Sequence, residues 1–184
     1  MLQTGTVKTS TLGLLKSLLS EPVFSTVRLV GGTALSLQIG HRESDDLDLF
    51  SVEPMDMIAV QSLLIDKYDF APSVIEENTL IGFVNGVKID VLYHPFSWLE
   101  DAVIEEGLRL ASIADIAAMK MHAIINSGKR PKDFVDVAFF HCFILTMILN
   151  VFCLSVTPPM IQSWWTRQLS ILVILMSCLF LKSG

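Results

Sequence analysis

Before residue 140 the chain contains no cysteine; Cys142, Cys153 and Cys178 all lie beyond that point. A disulfide framework is therefore excluded from most of the chain, and with it the small secreted scaffolds that depend on one. No His/Cys spacing suggests zinc, and His94 and His122 read as structural. The opening segment MLQTGTVKTSTLGLLKSLLS has a weak basic region, no long apolar core and no small-residue cleavage site, so it does not read as a signal peptide. A cytoplasmic location is expected. Excess positive charge is lacking too. The formal net charge is −6, so any contact with nucleic acid needs a local basic patch. No internal repeat and no linker interrupts the first 138 residues.

What is present over 1–138 reads as one α/β domain with a small mixed sheet flanked by helices, long enough to bury a core. Leu12, Leu15, Leu18 and Leu19 fall at helical spacing, which predicts a helix over about 7–20, ended by Glu21-Pro22. STVRLV predicts a short strand running into Gly31-Gly32, and TALSLQIG a short helix closed by Gly40. DLDLF predicts a strand with Leu47 and Leu49 on one face and Asp46 and Asp48 on the other. Pro54 is expected to start a helix reaching Tyr68, with Met57, Val60, Leu64 and Ile65 as its buried stripe. Asn85-Gly86 between two apolar runs predicts a hairpin, and Asp90 falls inside its second strand. SWLEDAVIEEGLRLAS reads as an irregular or helical link. Ser112-x-x-Asp115 is a capping box ahead of the helix IAAMKMHAIIN, which Gly128 ends. Lys129, Arg130 and Lys132 then form a basic turn before another helix begins.

Residues two apart on a strand point the same way, so Asp46 and Asp48 present two carboxylates to one small volume. A cation or a shared proton must relieve such a pair. Oxygen donors suit Mg²⁺ or Mn²⁺, ions that complete their shells with water and substrate phosphates. Asp90 on a neighbouring strand is expected to act as a third ligand or a base. Gly31 and Gly32 sit where a strand turns into a helix, and without Cβ atoms they let a triphosphate approach the helix N-terminus. Thr33 adds a hydroxyl there. Each feature alone has a plainer reading: a Gly-Gly turn, or a solvated strand face. Their order, strand, Gly-Gly, helix, Asp-x-Asp, then Asp on a later strand, points to nucleotidyl transfer.

GGTAL…GHRESDDLDLF resembles the first motif of the DNA polymerase β-type nucleotidyltransferase superfamily, and more narrowly the AbiEii/AbiGii toxin family. The similarity extends through KIDVLYHP, IADIAAMKMHAI and KRPKDFVD, covering most of 12–140. The resemblance implies a polymerase β-like core and transfer of a nucleoside monophosphate from an NTP. It implies an acceptor such as the tRNA 3′ end, and a cognate antitoxin as partner. It places Arg42 and Ser44 with the nucleotide, Lys120 against the triphosphate, and Asp133 in the last motif, in catalysis or active-site shaping. Read from its surroundings alone, Lys120 is also a lysine that extends its head to solvent. Asp133 equally suits a helix cap, and Arg42 a partner for Glu43 or Asp46. Lys129, Arg130 and Lys132 are the densest positive cluster, hence the expected RNA patch.

Residues 139–184 form a different text. All nineteen acidic residues lie at or before Asp136, and after Phe139 the only Lys or Arg are Arg167 and Lys182. The family continues here with charged, amphipathic helices. Two membrane segments are one reading of this apolar tail, though the first contains His141 and Asn150 and the second is short for a span. A slipped reading frame near residue 140 accounts better for the abrupt loss of acidic residues; ordinary core helices are a third reading. On the slipped-frame reading the chain is a catalytically decayed remnant, or a nucleotidyltransferase with poorly supported metal ligands. Resequencing the gene separates frame slippage, which predicts a restored acidic helical frame, from a genuine apolar tail.

Overall fold

The structure is a computed structural model and describes residues 1–126 and 130–140. Expectations for Gly128, Lys129 and the tail from 141 lie outside the described residues. The chain forms two compact units, one spanning Met1–Met119 and one beginning at Lys120.

In the first unit, α1 (Thr9–Ser20) buries Leu15, Leu18 and Leu19 and half-buries Leu12. Extended backbone at Glu21, followed by Pro22, stops it as the sequence predicts. β1 (Arg28–Val30) runs straight into α2 (Gly31–Ile39), which closes on Gly40 in the left-handed region. β2 (Leu47–Ser51) buries Leu47 and Leu49 and leaves Asp48 half-exposed. α3 (Met57–Tyr68) starts at Met57, not at Pro54, because the Asp56 carboxylate accepts from the N–H groups of Ile58 and Ala59 and caps the helix there. Its buried stripe is narrower than expected: Val60 and Leu64 are buried, and Ile65 is exposed.

β3 (Ala71–Glu76), β4 (Thr79–Val84) and β5 (Val87–Tyr93) form a meander. Asn85 and Gly86 both take positive φ, 49° and 80°, the backbone a two-residue hairpin turn requires. The expected link after Trp98 is corrected by the structure. It contains a second hairpin, β6 (Val103–Glu105) and β7 (Leu108–Leu110), turning at Glu106 and Gly107 with φ 52° and 79°. Glutamate seldom adopts that conformation, so Glu-Gly hid a turn that Asn-Gly announces. Leu108 and Leu110 are fully buried because β7 pairs in parallel with β1.

The seven strands make one mixed sheet in the order β3-β4-β5-β2-β1-β7-β6. β3 lies at one edge, and the register of its pairing with β4 shifts between Pro72 and Val74. Arg109 on β7 donates to the carbonyls of Val27, Leu19 and Phe24, stitching the sheet to the end of α1 and the turn after it. α4 (Ile113–Asn126) is capped as predicted: Ser112 Oγ accepts the Asp115 N–H at 3.0 Å. The buried Asp115 carboxylate also accepts from the Ser112 hydroxyl and from the Leu99 N–H. A further helix covers 131–140. Among the described residues no helix is long and apolar enough to cross a membrane.

Gly82 on β4 is a packing constraint. A methyl group there would sit 2.4 Å from the Ala71 carbonyl oxygen and 2.4 Å from the ring of the buried Phe70. Gly82→Ala should lower stability by about 1–3 kcal/mol through overpacking. Urea unfolding measures it, and an unchanged midpoint would refute the packing account.

Candidate active site

The site in the first unit follows from strand register. β2 and β5 run parallel with Asp48 directly beside Asp90, and β1 places Val30 on the other side of Asp48. Leu47, Leu49, Ile89 and Val91 are fully buried on the opposite face, so alternation sends Asp48 and Asp90 to the same, more open side. Two carboxylates paired this way repel each other. Lys88, two residues before Asp90 and therefore on its face, donates to both Asp90 oxygens, at 2.6 Å to Oδ1. The lysine is one-third exposed and the aspartate nearly buried. Lys88 was not singled out from sequence, where it reads as an ordinary polar residue in alternation. Asp46 lies one residue ahead of β2 and is exposed, so the Asp-x-Asp pair straddles the strand's start and does not sit wholly within it.

The glycines make room for charged side chains. Gly31 opens α2 with φ 71°, and a methyl group on it would lie 2.2 Å from Asp48 Oδ2. The Asp48 carboxylate thus settles over bare backbone at the helix start. A methyl on Gly32 would lie 2.1 Å from Arg42 Nη2, so the guanidinium covers the second glycine. Arg42 Nη1 also donates to the Glu43 carbonyl at 3.1 Å. An anion arriving at this helix N-terminus would meet a planar cation already in place. Thr33 is buried and faces inward: its hydroxyl donates to the Asp46 carbonyl and lies 2.9 Å from Ser44 Oγ. Thr33 and Ser44 therefore brace the segment that carries Asp46.

That segment is pinned from the N-terminal side. The Ser44 N–H donates to the Thr6 carbonyl at 3.1 Å. Lys8 holds the Asp45 carboxylate with its ammonium at 2.6 Å and with its backbone N–H at 3.1 Å. The Lys8 hydrogen bond keeps the Asp45 carboxyl below the ordinary aspartate range and raises Lys8 in return.

In the second unit, Lys120 reaches Asp133 Oδ1 at 2.6 Å and Asp136 Oδ2 at 2.8 Å. The three side chains are 12%, 6% and 0% exposed, so the lysine does not extend its head to solvent. Asp136 was not singled out from sequence. Arg130 and Lys132, the described part of the expected basic patch, are exposed.

Among the described residues no three carboxylate, histidine or cysteine side chains already converge to hold an ion. Asp48 and Asp90 nonetheless fit a hard divalent cation: they are oxygen donors, adjacent in register and open on one side. Mg²⁺ commonly takes only one or two carboxylates and fills its shell with water and substrate phosphates.

Residues 13–79 match the family described as nucleotidyl transferase AbiEii toxin, type IV TA system. The chain is similar to the uncharacterized protein aq_aa25 of Aquifex aeolicus (strain VF5), 34% identical over 130 residues. That match covers 68% of this chain and 62% of the relative, so the chain spans less than two thirds of the relative's length. Among solved structures, ANT(2")-Ia in complex with adenylyl-2"-tobramycin superposes with a TM-score of 0.53 at 14% identity, over 75% of this chain and 90% of its own. JHP933 from Helicobacter pylori superposes with a TM-score of 0.49 at 17% identity, over 96% of each chain. The mixed α/β sheet with flanking helices expected from the sequence is the architecture observed, and it is a fold shared with ANT(2")-Ia.

The Lys8–Asp45 tie makes a pH prediction. A carboxyl lowered in the folded state stabilises above its unfolded value, and that contribution disappears as pH falls through the folded value. NMR titration should therefore find Asp45 protonating below the ordinary aspartate range in wild type. In Lys8→Met its midpoint should move up; an unmoved midpoint would mean that Lys8 is not the cause.

Proposed function

We propose that this chain, whose residues 13–79 match the AbiEii nucleotidyltransferase family, transfers a nucleoside monophosphate from an NTP to an acceptor hydroxyl. One observation carries the reading: Asp48 and Asp90 stand side by side on one face of the sheet, with the Asp48 carboxylate lying against Gly31 at the start of α2. Asp46 and Asp48, joined by Asp90, are the residues that would hold Mg²⁺ or Mn²⁺. Such an ion, when bound, offsets the charge that develops on the phosphates. Gly31 and Gly32 leave the helix start accessible to the triphosphate, and Arg42 over Gly32 supplies the cation that orients it. The acceptor oxygen forms a bond to the α-phosphorus while the α–β bridging bond breaks. Pyrophosphate leaves, and Asp90 takes the hydroxyl proton. Thr33 and Ser44 act from behind, fixing the segment that carries Asp46. From the family resemblance, Lys120 and Asp133 contribute to nucleotide handling and active-site shaping.

The family match also supports a toxin role with a cognate antitoxin. We propose the tRNA 3′ end as acceptor, with exposed Arg130 and Lys132, together with Lys129, meeting its phosphates. A small-molecule acceptor is the second reading, favoured by the fold shared with ANT(2")-Ia, whose structure holds adenylyl-2"-tobramycin.

Incubating the protein with Mg²⁺, each α-labelled NTP and either bulk tRNA or an aminoglycoside should label one acceptor class. Asp48→Asn should cut incorporation at least about 100-fold, in line with loss of a charge-stabilising group. Equal incorporation by both proteins would remove Asp48 from the site.

A further inference from the structure

On that reading of the site, we infer that Lys88 occupies the place of the divalent ion until nucleotide arrives, so that metal and NTP are taken up together and not in turn. Asp90 has two carboxylate oxygens, and Lys88 Nζ lies within hydrogen-bond reach of both. The pairing is local and obligatory in register: residues 88 and 90 share a face of β5, and Asp90 has Asp48 beside it on β2. The ammonium offsets the charge of Asp90, which stands beside Asp48, in the unliganded site.

A divalent ion drawing on Asp90 must displace that ammonium and then sit beside its positive charge. Both effects weaken binding of the ion alone. Once a triphosphate is present, the released ammonium has an anionic partner within reach of its flexible stem, and the penalty disappears. Lys88 therefore couples the two ligands: each makes room for the other. The device needs a side chain that is partly exposed and able to swing, and Lys88 is one-third exposed. Lys120 offers a contrast, being almost fully buried between two carboxylates.

Calorimetry with Mn²⁺ alone, and with Mn²⁺ plus each uncleavable α,β-methylene NTP analogue, tests the coupling in the full-length chain. Wild type should bind Mn²⁺ alone weakly and gain strongly when the analogue is added. Lys88→Met should bind Mn²⁺ alone about tenfold more tightly, the order expected when one positive charge beside a divalent ion is removed. Its further gain from nucleotide should shrink. Lys88→Arg, which keeps the charge, should behave as wild type toward Mn²⁺ alone. If Lys88→Met folds poorly, Lys88→Gln carries the same expectation, and Mn²⁺ should raise its melting temperature more than that of wild type. Lys88→Met or Lys88→Gln binding Mn²⁺ no more tightly than wild type would overturn the inference. Failure of wild type to bind any metal–analogue pair would instead overturn the nucleotidyl-transfer reading on which it rests.

Discussion

Parallel pairing of β2 with β5 sets two like charges side by side, and the surrounding features of the first unit answer that constraint. The leucine, isoleucine and valine side chains that alternate with Asp48 and Asp90 fill the opposite face, so neither strand can slip by one residue without exposing its core. The charges are consequently fixed on the open side. Lys88 offsets one of them, and the bare backbone at Gly31 accommodates the other. Arg42 adds a second cation over Gly32, on a loop tied down through Ser44 and Asp45 to the N-terminal segment. A repulsion that would be a defect in a purely structural sheet is here held ready for a multivalent cation and a polyanion.

Much of this was legible in the sequence, for identifiable reasons. Short-range rules located α1, the β1–α2 junction, the glycine stop at Gly40, the Asn-Gly hairpin and the Ser112 cap, because each is decided by residues within a few positions. Strand alternation placed Asp48 correctly, while Asp46 lay one residue outside the strand it was assigned to. Asp56 displaced the expected helix start because a side-chain cap competes better than a proline two residues earlier. The second hairpin was missed since glutamate hid its turn. Lys88 and Asp136 were missed for other reasons. Lys88 pairs with Asp90 by the same two-residue alternation that sets Asp46 beside Asp48, a local pattern that reads as an ordinary polar strand face until the register brings Asp48 alongside. Asp136 takes its importance from Lys120 on a separate helix, which no local pattern reports.

The two lysine–carboxylate clusters illustrate different energetic regimes. Lys88 and Asp90 lie where water still reaches the ammonium, so their mutual attraction is moderate and exchangeable. Lys120, Asp133 and Asp136 are nearly enclosed. Buried charges persist only with satisfied partners, and removing one member leaves the others uncompensated. The first arrangement suits a group that must let go, and the second suits a group that must hold position.

The outer strand β3 has a consequence for how many copies of this chain behave together. Pro72 has no N–H to offer, and the irregular backbone between Pro72 and Val74 kinks whatever row of partners remains. An incoming extended segment finds an incomplete template along that margin. Growth of the sheet from molecule to molecule, the first step toward fibrils, is discouraged on that side by the covalent structure of one residue.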